Sequence, residues 1–123
     1  MLTQKQINNL ITGRAMAAEL TPSKEGLRRF LQIQPLELGQ YGRYVAAGKS
    51  LSKSKFETVF FWTRIYELPA EYIEKQWVVT EEDMSFYLDL GKIQGISALE
   101  TALGEYLQDF DLLVTWDKTD APL

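Results

Sequence analysis

Leu27-Arg-Arg-Phe-Leu-Gln-Ile-Gln-Pro-Leu-Glu-Leu-Gly-Gln-Tyr41 is the stretch on which the fold turns. Ahead of it stands Thr21-Pro22, a capping residue followed by proline where a first helical position would fall. This start predicts a helix over 22–31 with Leu27, Phe30 and Leu31 on one side. Pro35 opens a further helix carrying Leu36, Leu38, Tyr41 and Val45, and Gly48 is a suitable terminator. The quoted residues then form two short helices joined by a tight connection.

Working outward, Thr3 can cap a segment in which Ile7, Leu10, Ile11, Ala15 and Ala18 recur at helical spacing. Ser50-Leu-Ser-Lys-Ser-Lys55 reads as a polar, basic loop. Residues 54–68 admit two readings. Thr58-Val-Phe-Phe-Trp-Thr-Arg-Ile-Tyr66 is rich in β-formers and would pass as a strand. Ser54 and Glu57, however, match the S-x-x-E capping box, and Phe56, Val59, Phe60 and Thr63 share a helical face. The helical reading is preferred. Further on, Pro69 opens a helix over 69–76 with Tyr72, Ile73 and Trp77 on its apolar side. Thr80 caps Glu81-Glu82-Asp83, acids placed where the helix dipole favours them. Ser97 and Glu100 suggest another capping box, before Leu99, Ala102, Leu103, Tyr106, Leu107 and Phe110. Leu112-Leu-Val-Thr-Trp116 is a short strand or a docking segment. The expected fold class is therefore mainly α, with one short strand at most.

The 123 residues suit one domain, or a small domain with an appended unit, and the 46% apolar fraction can build a core. There is no cysteine and no histidine, which removes disulfides, thiolate or imidazole metal ligands and the commonest general base. No apolar run is long enough to span a bilayer, and the opening residues do not read as a signal peptide. A cytoplasmic, non-enzymatic protein without metal or other cofactor is expected.

Charge is unevenly divided. Residues 1–66 carry ten basic and four acidic side chains, a balance of +6, whereas 67–123 carry thirteen acids and three lysines, a balance of −10. Such asymmetry suggests a polyanion-facing half and a half with another task.

Leu27, Leu31, Ile33, Leu38 and Tyr41 fall on the apolar positions of a helix-turn-helix, and over about residues 7–73 the chain resembles the Xre, Cro and lambda-repressor family. Leu10–Thr21 is similar to the family's first helix and its entry to the second. Phe56–Pro69 is similar to its fourth helix, and Ala70–Ile73 to its fifth. Arg28 and Gln32 depart from the pattern, standing where the family prefers alanine and the turn glycine, and about six extra residues lie around Val45–Ser50.

The resemblance implies a lambda-repressor-like bundle over 1–73 that binds double-stranded DNA, followed by an acidic region over 74–123. Base readout would fall to Gln34, Leu36, Glu37, Gln40 and Arg43, and phosphate contact to Lys24, Arg28, Arg29, Lys49, Lys53 and Lys55. The implied function is a transcriptional regulator or repressor of phage, plasmid or bacterial type. It would act as a homodimer assembled through Leu99, Leu103, Tyr106, Leu107, Phe110 and Trp116.

A competing class is a small acidic inhibitor that binds a protein, such as a toxin-immunity protein or an antitoxin; the acidic half would then engage a toxin or effector. Two further patterns carry little. Gly42–Ser50 has five residues between its glycines where a P-loop needs four. Glu81-Glu82-Asp83 lacks the alternating ligands and glycine of a calcium loop.

Overall fold

The computed structural model describes residues 1–36, 57 and 59–122. Within them Leu27–Leu36 is a single ten-residue strand rather than the end of one helix and the start of another. Its side chains explain why. Leu31 and Ile33 point to one face and Phe30 to the other, all fully buried, which is the period-two pattern of a strand with both faces covered. Pro35 is tolerated because the ladder to the preceding strand ends at Met16↔Ile33, so its missing N–H falls beyond that partner.

The elements run as helix α1 (Gln4–Ile11), strands β1 (Met16–Leu20), β2 (Leu27–Leu36) and β3 (Phe60–Pro69), and helix α2 (Ala70–Glu74). Strand β4 (Phe86–Gln94), helix α3 (Ile96–Gly104) and strand β5 (Val114–Thr115) follow. The strands form one antiparallel sheet in the order β4-β3-β2-β1-β5. Both sides of residue 73 contribute strands to it. The expectation of a mainly α, lambda-repressor-like bundle is overturned by this sheet, and the helix-turn-helix resemblance with it. Residues 60–69, read as helical from their capping box, pair in full with β2. Leu36 ends β2, whereas Leu38, Tyr41, Val45 and Gly48 lie outside the described residues.

Local signals did locate some starts. Thr3 caps α1 in a reciprocal box with Gln6, and Thr80 caps the 3-10 turn Glu81–Asp83 through Asp83. Helix α2 begins just after Pro69. Helix α3 has Gly95, not Ser97, at its N-cap. Its side-chain cap comes from far away, since Glu57 Oε1 accepts from the Ser97 amide at 3.3 Å and its hydroxyl at 2.8 Å. Gly95 has φ +92°, and a Cβ there would lie 2.6 Å from Glu57 Oε2 and 3.0 Å from its carbonyl oxygen. That approach requires glycine.

Helices α1 and α3 cover one face of the sheet, joining Leu10, Ile11, Leu99 and Leu103 to Met16, Leu31, Ile33, Phe61 and Ile65. A smaller cluster forms on the opposite face, where Phe30, Tyr66 and Leu68 meet Val79 and Ala121 and partly buried Tyr72 and Ile73. Each large side chain so buried contributes about 1.5–3 kcal/mol. Among the described residues no helix is long and apolar enough to cross a membrane.

Candidate functional site: a tryptophan-walled trough and an acidic segment

The described residues of the second cluster leave part of its face uncovered, and the ladder register shows what lies there. Gln32 and Gln34 on β2 stand beside Arg64 and Trp62 on β3, which in turn face Asp89 and Lys92 on β4. On the other side the β1–β5 pairing, continued by the Trp116 amide donating to Ala15 carbonyl oxygen at 3.0 Å, brings in Trp116. The result is a trough of about 210 Å³ with Trp62, Arg64, Gln32, Gln34, Ala15 and Trp116 among its lining. Ala15 leaves room between the indoles that a larger side chain would fill.

The Trp62 wall is held by a strand irregularity. A register shift between Thr63 and Arg64 accompanies Gly91 at φ +75°, and Asp89 Oδ1 accepts from both Trp62 Nε1 and the Gly91 amide at 2.7 Å. Irregularities of this kind re-aim side chains. Arg64 lies 5.0 Å from the Trp62 ring centroid and 5.2 Å from that of Tyr66, and its Nε donates to Gln32 Oε1 at 2.9 Å. Its terminal nitrogens make no ion pair or hydrogen bond among the described residues. Although Asp89 is its ladder partner, that carboxylate is engaged by Trp62 and Gly91. The Trp116 side is anchored by Gln6, whose Nε2 donates to the carbonyl oxygens of Phe110 at 2.7 Å and Leu113 at 2.9 Å.

The residues expected to contact DNA are distributed otherwise. Gln34 and Leu36 sit on β2 within the sheet, so no recognition helix carries them. Glu37, Gln40, Arg43, Lys49, Lys53 and Lys55 lie outside the described residues. Lys24 is exposed in the β1–β2 connection. Arg28 donates to both Glu19 oxygens at 2.7 and 2.8 Å and to Asp120 at 2.9 Å. The Glu19 hydrogen bond, outweighing burial, raises its pKa above the ordinary arginine value. Arg29 stacks over Phe86 at 4.5 Å and pairs with Glu67 at 3.5 Å, a separation without hydrogen-bond geometry at its Nε.

Glu67 is 2% exposed and accepts from the Ser23 amide at 2.6 Å and hydroxyl at 2.7 Å. Burial would push its carboxyl up, but the Ser23 hydrogen bonds and the Arg29 charge together hold it below the usual range. Two cations assigned to phosphate are thus neutralised by acids, one of them from the far end of the chain. A sequence-specific, dimeric helix-turn-helix regulator with DNA as its partner does not fit this sheet.

Leu99 and Leu103 are fully buried in the chain's own core with Leu107, and Tyr106 and Phe110 pack against it. Trp116 remains 38% exposed. Beyond α3 a second surface appears. Glu105, which shares a groove with Leu112, and Asp109, Asp111 and Asp117 further along the segment are exposed, Leu112 itself is 47% exposed, and none of the four acids enters an ion pair among the described residues. Among those residues no group of three acidic side chains is placed to hold a metal ion.

Trp62, Arg64 and Gln32 were missed from sequence; for Trp62 and Arg64 the available signal was the β-former content of 58–66. Fold and surface together define an antiparallel-sheet protein with α1 and α3 on one face and, beside α2 on the other, an aromatic patch that the described residues leave uncovered. No family model matches the chain, and no curated protein or solved structure is detectably similar to it.

Proposed function

We propose that this is a small acidic inhibitor that binds a protein, of the toxin-immunity or antitoxin kind, and that it covers a basic surface of its target. The observation that carries the reading is the unpaired acidic segment. Glu105, Asp109, Asp111 and Asp117 lack cationic partners among the described residues, while Arg28 and Arg29 are occupied within the fold. Exposed carboxylates in one segment with an apolar anchor such as Leu112 suit a basic partner: charge steers encounter and excludes wrong partners, and the buried apolar contact supplies lifetime. The role requires no catalytic group.

The test is direct. Products of genes adjacent to this one are expressed alone and with it, and binding to the purified protein is measured by calorimetry across a salt series. A toxic, basic product whose toxicity is relieved by co-expression and whose affinity falls with salt is expected. The double variant Glu105→Lys/Asp111→Lys should weaken that binding by at least about tenfold, or 1.4 kcal/mol, with the sheet intact. If no adjacent product binds, or binding ignores both salt and charge reversal, the reading fails.

A further inference from the structure

The trough is separate from the acidic segment in its chemistry. In it a guanidinium stands with donors unused among the described residues. Arg64 Nε is committed to Gln32, and the ring faces of Trp62 and Tyr66 hold the group in place. Its terminal nitrogens are therefore presented as a pre-oriented fork without a carboxylate partner among the described residues. Such a fork matches a carboxylate in geometry and charge. On either side stand Trp62, fixed through Asp89, and Trp116, with Ala15 leaving the space between them. Indole faces take planar rings. The volume of about 210 Å³ lies below the roughly 300–1,000 Å³ of drug-sized pockets, and so suits one ring with its acid group.

We infer that this trough binds a small aromatic carboxylate, with the acid on Arg64 and the ring between Trp62 and Trp116. The same chemistry has two sources, a free aromatic acid or the carboxylate end of a chain finishing in an aromatic residue. Binding does not depend on the inhibitor role proposed above.

The three tryptophans make the test internal. Trp77 lies outside the trough, beside Tyr72 at 5.2 Å and under Lys75 at 4.9 Å. In nitrogen-15 spectra of the full chain each indole N–H gives its own signal. Titration with sodium benzoate should shift the Trp62 and Trp116 signals saturably and leave Trp77 in place. Benzamide, of similar shape but uncharged, should bind at least about tenfold more weakly. Arg64→Gln should abolish the benzoate response while keeping the dispersed sheet signals. If that variant does not fold, Arg64→Lys, which keeps the charge and loses the fork, should weaken benzoate several-fold.

N-acetylphenylalanine separates the sources: tighter binding than benzoate assigns the trough to a chain end, and weaker binding assigns it to a free acid. A parallel shift of Trp77, equal affinity for benzamide, or an undiminished response in a folded Arg64 variant would overturn the inference.

Discussion

Glu67 shows how one residue joins the two charge halves of the chain. It takes its hydrogen bonds from Ser23 and its counter-charge from Arg29, both in the basic half, and is almost wholly enclosed. Removing its charge in Glu67→Gln should cost about 2 kcal/mol, less than the roughly 3–5 of a fully buried pair because Arg29 reaches solvent. The sign of the pH dependence follows from a folded carboxyl held below its unfolded value. Its stabilisation is complete above the unfolded carboxylate's range, about 4.3, and is lost as pH falls through the lower folded value. Urea unfolding of both proteins from neutral pH downward should show the gap between them closing below about pH 4. A gap that stays constant or widens would contradict the buried pair.

At the scale of elements, α3 depends on a contact that its own residues do not encode. Glu57 supplies the cap, and Gly95 permits the approach. Gly95→Ala combines a strained backbone with a clash against Glu57, so a loss of about 1–3 kcal/mol is expected. Gly91 also has positive φ, but a Cβ there meets nothing within 4 Å. Gly91→Ala should cost only backbone strain, about 1 kcal/mol. Urea midpoints should therefore rank Gly95→Ala below Gly91→Ala, and the reverse order would argue against the Glu57 contact. The same element shows the reach of local patterns. The capping-box match at Ser97 and Glu100 correctly announced a helix but misplaced its cap. Ser97 instead donates to Glu57, and Glu100 accepts from the Leu2 amide at 2.9 Å.

For the whole molecule, sheet order predicts where stability is concentrated. β2 is flanked on its second side by β1 over Arg29–Ile33 and β3 by β4 over Phe60–Glu67, and the two strands carry the core of both faces. β5 is a two-residue edge. Hydrogen exchange should therefore be slowest at ladder amides around Phe30–Ile33 and Phe61–Tyr66, opening only with global unfolding. Amides of β5 and the segment after it should exchange through local opening. Exchange at Leu31 as fast as at Thr115 would refute the sheet order. The trough straddles this gradient, with Arg64 and Trp62 on its rigid part and Trp116 on the edge.

What the chain determined without its tertiary structure is what neighbours in sequence decide. Thr3 with Gln6, Thr80 with Asp83, and Pro69 each marked a real boundary, because a cap or a proline acts within one helical turn. The excess of acids after residue 66 was equally plain from composition. Tertiary structure alone decided whether 27–36 and 60–69 would be helices or strands. Leu27, Phe30 and Leu31 satisfy a helical face, while Leu31 and Ile33 against Phe30 satisfy a two-faced strand, and short apolar runs do not separate these periods. Pairing of β2 with β3 over ten residues settles the choice, setting Leu31, Ile33 and Ile65 in one cluster and Phe30 and Tyr66 in the other. Long-range pairing also converted Arg28 and Arg29 from apparent phosphate contacts into partners of Asp120 and Glu67. It set Trp116 across from Trp62, residues that nothing in the chain's order associates, because a ladder joins strands regardless of the length of chain between them.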